Sequence, residues 1–305
     1  MGGNAISRKG EKNDIHQQFA NTRKSLDPIV ELLREGYNLA ISHGNGPQVG
    51  DALLRVEMAK DEAPFVPLGV LVADTQGSMG YMISQSLENR LRRENINKEV
   101  CTVITQVLVD KDDPSIKNPT KFIGKFYSEN EAKKMAEEFG WIVKKDADRG
   151  WRRVVPSPKP LSIVEGNIIR DLVNSGVITI TTGGGGIPVF MEKNGDLEGV
   201  DAVVDKDYAS AVLGNTIGAE ILIIITDINK VYLNFDKPNK RPIDKISADE
   251  IEKYLHQGHF PYGSMGPKIS ASIKFIRGGG EKVVITSIEN AYTAVEGSTG
   301  TLIVP

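Results

Sequence analysis

The sequence predicts an α/β fold in which a largely parallel sheet carries helices on both faces. Short apolar stretches alternate with longer stretches of helical periodicity, and this alternation is typical of parallel β and α units. Glycine-rich turns follow several of the predicted strands. A chain of 305 residues, 40% of them hydrophobic, can also bury a sizeable core, either as one large unit or as two closely joined lobes.

The first third of the chain begins the alternation. Apolar residues at helical spacing predict a helix from Asn13 to Gly36, which Pro28 should kink or split because proline removes a backbone donor. The stretch YNLAIS then predicts a short strand. The next predicted elements are helices over residues 48–60 and 72–95 and one buried strand over residues 99–109.

Residues 110–160 interrupt the alternation. They contain one short helical segment, residues 129–139, and the basic-aromatic stretch DRGWRRVVPSPKP, so we predict an inserted subdomain that projects from the main sheet. The alternation then resumes to the end of the chain. Helices are predicted over residues 162–175, 206–216 and 248–257, from Pro267, and up to Val295, strands at VITITT, ILIIIT, KVVIT and TLIV, and a turn at EKNGD.

Charge and composition favour a small-molecule partner. The formal net charge is −3, with acids and bases interspersed, so no field of one sign attracts nucleic acid or an anionic membrane. No stretch approaches the ~18 to 20 apolar residues of a membrane span and no signal peptide is visible, so we predict a cytoplasmic protein.

The single cysteine, Cys101, is expected to be a packed thiol. Arg152 and Arg153 are expected to cover an anionic site or to form internal ion pairs, and Trp151 to lie in the core.

Three glycine-rich loops predict a phosphate or small-anion site. They are GGNA at Gly2–Ala5, HGNGP at His43–Pro47 and TTGGGG at Thr181–Gly186, each in a strand-end position where ligands of open α/β sheets bind. One such loop is often only a tight turn, but three together favour an anion. None matches the dinucleotide fingerprint or the P-loop, so a Rossmann dehydrogenase is a poor second choice.

Three lysines are candidates for the same site. Lys206 lies between Asp205 and Asp207 at a predicted helix start, where the alternative is an ordinary acidic N-cap beside a solvated lysine. Lys268 is predicted in the first turn of a helix, where a cation opposes the helix dipole and so suggests a bound anion. Lys121, in the inserted region, would by itself be interpreted as a surface residue.

Histidines supply no predicted general base or zinc site. His43 borders a glycine loop, and it either orients that loop or touches substrate. His259 is expected near a nucleotide, whereas His16 and His256 are expected to be solvated. No Cys/His cluster has zinc-ligand spacing.

Seven motifs together resemble the carbamate kinases of the amino-acid kinase family. They span nearly the whole chain in this order: GGNA, SHGNGPQVG, NPTK, RGWRRVVPSP, GGGGIP, GVDAVVDKD and GSMGPK. The resemblance implies a three-layer αβα sandwich, a homodimer, and reversible phosphoryl transfer from MgATP to carbamate, giving ADP and carbamoyl phosphate. It also implies a lobe of residues 1–215 for carbamate, including the subdomain at about 111–160, and a nucleotide lobe of residues 216–305.

The resemblance also implies a role for particular residues of this chain. Lys206 and Lys268 would be the catalytic lysines, Asp207 would position Lys206, and Lys121 would reach in from the subdomain. The phosphate and substrate would contact Gly2, Gly3, Asn4, Gly44, Asn45, Gly46, Gly184 and Gly185, and the nucleotide would contact Thr226, Asp227, Met265 and Lys268. Carbamate is already an anionic nucleophile, so no general base is required. Mg²⁺ would be held mainly by the nucleotide phosphates and water.

The start of the chain departs from the family pattern. Carbamate kinases begin with a hydrophobic strand that leads into GGNA, and here Met1 directly precedes that motif. Loss of this strand would expose strand edges and leave the first glycine loop on a free terminus. Two alternatives to an active carbamate kinase therefore stay open: a catalytically weak protein of the same fold that binds nucleotide or carbamoyl phosphate, and another small-molecule kinase of the family.

Overall fold

The structure is a computed structural model that describes residues 6–7, 11–12, 14–235, 237–261 and 263–305. Gly2, Gly3 and Asn4 lie outside the described residues. Helices alternate with strands along most of the chain, and the predicted α/β fold is confirmed. The helices are α1 (Ile15–Lys24), α2 (Asp27–Arg34), α3 (Gly46–Met58), α4 (Leu68–Arg93), α5 (Pro114–Lys117), α6 (Glu129–Phe139), α7 (Gly166–Asn174), α8 (Lys206–Ile217), α9 (Ala248–His256), α10 (Met265–Arg277) and α11 (Ala291–Val295).

The strands form several separate sheets. β1 (Ala40–Ile41), β8 (Ile178–Ile180) and β2 (Val100–Thr102) make a parallel sheet in the order β1-β8-β2. β3 (Gln106–Val109), β7 (Pro160–Ile163), β9 (Ile187–Met191) and β10 (Leu197–Gly199) make a second sheet in the order β10-β9-β3-β7. β11 (Ile221–Ile225), β14 (Lys245–Ser247), β15 (Lys282–Thr286) and β16 (Thr301–Val304) make a third in the order β11-β15-β16-β14.

The region predicted as an inserted subdomain has its own small sheet, which was not predicted. β4 (Lys121–Tyr127), β6 (Trp151–Val155) and β5 (Val143–Lys145) pair in the order β4-β6-β5. The helix α6 begins at a capping box in which Ser128 and Glu131 bond each other's backbone, and its last turn ends at Gly140. The remaining strands, β12 (Val231–Leu233) and β13 (Arg241–Ile243), form a hairpin that sequence reasoning missed.

The prediction of one strand over residues 99–109 is wrong. The chain forms β2 and β3 in two different sheets, and Thr105, between them, bonds both the Ile187 N–H of β9 and a side chain of α4. The amide side chain of Gln76 accepts from the Thr105 N–H at 2.7 Å and donates to its carbonyl at 3.1 Å. Cys101, on β2, is only half-buried, so the prediction of a packed thiol is confirmed only in part.

The prediction of a helix over residues 162–175 is also only partly correct. Its first residues belong to β7, which pairs with β3, and the helix begins at Gly166. A Cβ at Gly166 would lie 2.6 Å from the methyl group of Thr216, so glycine is required for the close approach of α7 to α8. The helix predicted across Pro28 is split as expected, with Pro28 in the first turn of α2, where its missing N–H does no harm.

One apolar core brings α8 and α10 together. Phe275 on α10 is fully buried, and a Cβ at Gly214 on α8 would lie 2.7 Å from its ring. The two helices therefore pack closely over the third sheet. Their N-terminal turns, which begin at Lys206 and Met265, lie next to each other. Among the described residues, no helix is both long and apolar enough to cross a membrane.

Candidate active site

Two of the predicted glycine loops meet at the carboxyl ends of β1 and β8. These neighbouring strands run parallel, with Ile41 opposite Ile180, so the loops that follow them leave the sheet at one edge. The backbone N–H of Gly184 donates to the carbonyl of His43 at 2.7 Å. The predicted substrate residues Gly44, Asn45, Gly46, Gly184 and Gly185 are therefore brought together.

Glycine is sterically required in the second loop. Gly184 has φ +67° and a Cβ there would lie 2.1 Å from Asn45 Nδ2; Gly185 has φ +95° and a Cβ there would lie 2.2 Å from the carbonyl oxygen of Val204. Both conformations are unfavourable for residues with a side chain. The loop therefore packs against the His43–Asn45 segment on one side and against the segment that precedes α8 on the other.

Polar side chains of α4 hold these loops in place. In the first loop, Asn45 Nδ2 donates to Thr75 Oγ1 of α4 at 2.9 Å. In the second loop, the Thr182 N–H donates to the hydroxyl of Thr105 at 3.0 Å, and the backbone of Thr105 is in turn held by Gln76 of α4. Thr182 itself has φ +47°, a left-handed conformation that is uncommon outside glycine and is found where a site is strained. Sequence reasoning missed these threonines and Gln76, although polar residues on the buried face of a long helix are a usable signal.

His43 is a neutral, buried residue. It is 1% exposed, and burial lowers the pKa of its imidazole to about 4, although the nearby carbonyl of Gly44 opposes that shift. Its Nδ1 lies 3.3 Å from that carbonyl oxygen, so the neutral ring with a proton on Nδ1 donates to it. A Cβ at Gly183 would lie 2.5 Å from His43 Nε2. These contacts support the first of the two predicted alternatives, that His43 orients the loops.

Asp207 joins the two predicted catalytic lysines. Lys206 and Asp207 are the first residues of α8, and the Lys206 ammonium donates to Asp207 Oδ1. Lys268, in the first turn of α10, donates to Asp207 Oδ2 at 2.7 Å. The Asp207 side chain is only 9% exposed, so its carboxylate is mostly shielded from water. Lys268 lies 61 residues from Asp207 in sequence, and Lys206 directly precedes Asp207, yet both cations share this one buried anion.

Burial and charge shift the pKa values of this group in known directions. Burial by itself would raise the pKa of Asp207, but the ammonium groups of Lys206 and Lys268 outweigh it, so the pKa lies below its ordinary value. Burial lowers the pKa of Lys206; the Asp207 carboxylate opposes this shift and the Lys268 ammonium adds to it. Asp207 therefore stays ionised and keeps both lysines beside it.

Lys121 reaches the same place from the subdomain. It is the first residue of β4, and its Nζ lies 3.5 Å from Asp205 Oδ2, with 44% of its side chain exposed. The other oxygen of Asp205 caps α8 by accepting from the Asp207 and Tyr208 N–H groups at 3.0 and 3.4 Å. Asp205 was predicted only as a cap, so its pairing with Lys121 is new.

The predicted nucleotide residues lie in the C-terminal part of the chain. Thr226 and Asp227 directly follow β11, and the Thr226 N–H donates to the carbonyl of Thr286 at the end of β15. Met265 is the first residue of α10, three residues before Lys268. His259 lies 3.0 Å from the side-chain oxygen of Asn234, and Arg152 and Arg153 both form internal ion pairs, with Asp146 and Asp201 respectively.

This arrangement suits the transfer of an anionic group. Three lysine ammonium groups face two carboxylates, which leaves an excess positive charge beside glycine loops whose backbone approaches closely. Charge stabilisation and positioning are the main demands of phosphoryl transfer. Within the described ranges, no group of three or more His, Cys, Asp or Glu side chains is arranged to hold a metal ion.

Comparison with known proteins identifies similar chains. Residues 1–287 match the model of the Amino acid kinase family. The chain is 48% identical to a carbamate kinase of Pyrococcus horikoshii over 307 residues, which cover 100% of this chain and 98% of the relative. It is 44% identical to the carbamate kinase-like protein YahI of Escherichia coli, covering 100% of this chain and 97% of that protein. The structure matches that of a carbamate kinase from Giardia lamblia bound to AMP-PNP with a TM-score of 0.94 and 42% identity, covering 99% of this chain and 96% of the other.

Proposed function

Because the chain belongs to the amino acid kinase family, we propose that it is a carbamate kinase, which transfers a phosphoryl group reversibly between ATP and carbamate. The observation that carries this proposal is the buried Asp207 carboxylate with Lys206 and Lys268 on its two oxygens. Carbamate attacks as an anion that is already formed, so the reaction needs bound charge and alignment rather than a general base. The site supplies both.

Each group has a defined part in the proposed reaction. The backbone N–H groups of the loop at Gly44–Gly46 bind the phosphate oxygens, and we place Gly2, Gly3 and Asn4 in the same role by the family resemblance. Gly184 and Gly185, whose own N–H groups donate to the carbonyls of His43 and Thr182, let the backbone approach the carbamate closely. Lys206 and Lys268 stabilise the charge on the migrating phosphoryl group. Asp207 positions both ammonium groups, and Lys121 adds a third cation from the subdomain. Thr226, Asp227 and Met265 line the nucleotide.

Mg²⁺ accompanies the nucleotide in this proposal. Asp207 is engaged by two lysines, and Asp205 is engaged by Lys121 and by the start of α8. Such a donor set fits a cation that is held mainly by ATP phosphates and water. When bound, Mg²⁺ neutralises charge on the phosphates.

The molecular setting of the reaction is also part of the proposal. Residues 1–215 form the carbamate lobe and residues 216–305 the nucleotide lobe, and the protein acts as a homodimer in the cytoplasm. In arginine catabolism, the same site would make ATP from carbamoyl phosphate.

The deciding experiment is an assay of ATP formation from ADP, Mg²⁺ and carbamoyl phosphate. ATP formation that depends on carbamoyl phosphate is the expected result. AMP-PNP binding without ATP formation would instead indicate a weakly catalytic binding protein. The similarity to a protein named carbamate kinase-like gives weight to a third outcome, in which ATP is consumed only with another small acyl or phosphate acceptor.

A further inference from the structure

An ion pair outside the proposed site ties the subdomain to the rest of the chain. Arg153 on β6 donates from Nη2 to Asp201 Oδ2 at 2.7 Å. Arg153 is only 6% exposed, and its guanidinium lies over the ring of Trp141 at 4.6 Å, whereas the Asp201 side chain is 46% exposed. A buried cation is costly without a partner, so Arg153 depends on a carboxylate that the main body of the protein supplies.

Asp201 also makes a second contact, to a different element. Its Oδ1 accepts from the backbone N–H of Leu68 at 2.9 Å, at the first residue of α4. Close by, the Val203 N–H donates to the carbonyl of Pro156, which directly follows β6. Asp201 therefore joins the subdomain, the start of α4 and the segment that runs into Asp205.

This junction is directly connected to Lys121. Arg153 is opposite Ile123 in the β4–β6 ladder, and Lys121 is opposite Val155, so the two residues lie on neighbouring strands of one small sheet, two register positions apart. Lys121 Nζ lies beside Asp205, which follows Asp201 by four residues. A change in how Arg153 is held against Asp201 would therefore change where the Lys121 ammonium stands.

We propose that Asp201 and Arg153 are positioning residues, whose ion pair holds the subdomain so that Lys121 stands beside Asp205 at the start of α8. The inference rests on the proposed function, in which Lys121 acts on the phosphoryl group. A purely structural ion pair would stabilise the fold without acting through Lys121.

A double-mutant cycle separates these roles. Asp201→Ala should lower kcat/KM for ATP formation about tenfold in the wild-type background but less than about twofold in Lys121→Ala, because the lysine it positions is gone. The same tenfold loss in both backgrounds would overturn the proposal. Asp201→Asn keeps an acceptor for the Leu68 N–H and a weaker one for Arg153, so it should recover part of the activity.

Arg149→Ala is the matched control. Arg149 also pairs with a carboxylate, Asp146, but both residues belong to the subdomain, and its side chain is 66% exposed. Its kcat/KM should equal that of the wild type. A loss as large as that of Asp201→Ala would show that any change in the subdomain has this effect, and would count against the proposal.

Tryptophan fluorescence gives a test that does not require activity. The chain has two tryptophans, Trp141 and Trp151, and both lie in the subdomain. Asp201→Ala should shift their emission because Arg153 loses its partner over Trp141, whereas Arg149→Ala should not. Unchanged emission in Asp201→Ala would overturn the positioning role. If the wild type formed no ATP, the proposed function would be overturned. The fluorescence of Asp201→Ala would then still show whether the ion pair holds the subdomain.

Discussion

Asp207 is the residue on which the candidate site depends most. It is buried, and one of its oxygens accepts from Lys206 on its own helix, α8, while the other accepts from Lys268 on α10. Ionised carboxylates that accept charge-assisted hydrogen bonds hold their partners more firmly than neutral groups do. A phosphoryl group that enters the site therefore meets two ammonium groups already in place.

Removal of either lysine should nearly abolish turnover. We expect Lys206→Ala and Lys268→Ala each to lower kcat by about 10² or more, because each removes charge stabilisation from the transferring group. Lys24→Ala, at an exposed position in the last turn of α1, serves as a control that removes one positive charge elsewhere. The measurement is steady-state kinetics on variants whose unfolding temperatures equal that of the wild type. Near-normal rates would refute the assignment of Lys206 and Lys268 as catalytic lysines.

The lowered pKa of Lys206 predicts how the rate depends on pH. Since burial disfavours its charged form, the ammonium loses its proton at a lower pH than the ordinary lysine value of 10.5, and kcat/KM should fall as the pH rises through that point. His43, with a pKa of about 4, stays neutral above pH 6 and should add no inflection there. In Lys206→Arg, whose guanidinium remains charged, the decline in residual activity should move to higher pH. An unchanged decline would assign it to another group.

Among the structural elements, the loop at Gly183–Gly186 shows how tightly the site is built. It lies against the His43–Asn45 loop on one side and against Val204 on the other, and residues of α4 hold both loops from behind. Such contacts, together with the Gly184 N–H bond to the His43 carbonyl, leave the two loops little freedom to rearrange. Preorganisation of this kind is what makes hydrogen-bond donors effective in catalysis.

Gly184→Ala tests that interpretation against a matched glycine. Gly184 and Gly140 have the same φ of +67°, but a Cβ at Gly140 has nothing within 4 Å, whereas one at Gly184 meets Asn45. Both substitutions should cost about 1 kcal/mol of stability through backbone strain. Only Gly184→Ala should also shift the loop and lower kcat/KM about tenfold or more. Equal activity of the two variants, with unfolding followed by calorimetry, would contradict a positioning role for the loop.

At the scale of the whole molecule, the site is assembled from distant segments of the chain. The first sheet supplies the two glycine loops, α8 and α10 supply the paired lysines, and the subdomain supplies Lys121. The packing of α8 against α10 around Phe275 fixes the distance between Lys206 and Lys268. Lys121 reaches the site from the subdomain sheet with 44% of its side chain exposed, so its position depends on how the subdomain is held against the rest of the chain.

Lys121→Ala should consequently be milder than the loss of either buried lysine. Its side chain is 44% exposed and its Nζ is 3.5 Å from Asp205, so water screens its charge more strongly. We expect kcat/KM to fall about tenfold, compared with 10² or more for Lys206→Ala. Measurement of both variants in one assay decides the order. A reversed order would mean that Lys121 is a principal stabiliser of the phosphoryl group.

Much of this protein could be predicted from its sequence, since local signals carry that information. Short apolar stretches that alternate with stretches of helical periodicity predict the α/β fold. The interruption of this alternation at residues 110–160 predicts the subdomain. Helix α6, predicted over residues 129–139, is found at those residues because its capping box and Gly140 are local signals. Glycine loops at strand ends likewise predict an anion site before any distance is known.

The sequence by itself therefore determined the class of fold, the order of most elements and the residue types of the site. Tertiary structure alone decided that residues 99–109 divide between two sheets, where the side chain of Gln76, 29 residues from Thr105, bonds the backbone between the two strands. It also decided that Asp207 faces Lys268 and that Arg153 faces Asp201. These contacts join residues that no local pattern links, since side-chain charge and hydrogen bonding act through space, and only the packed fold sets those distances.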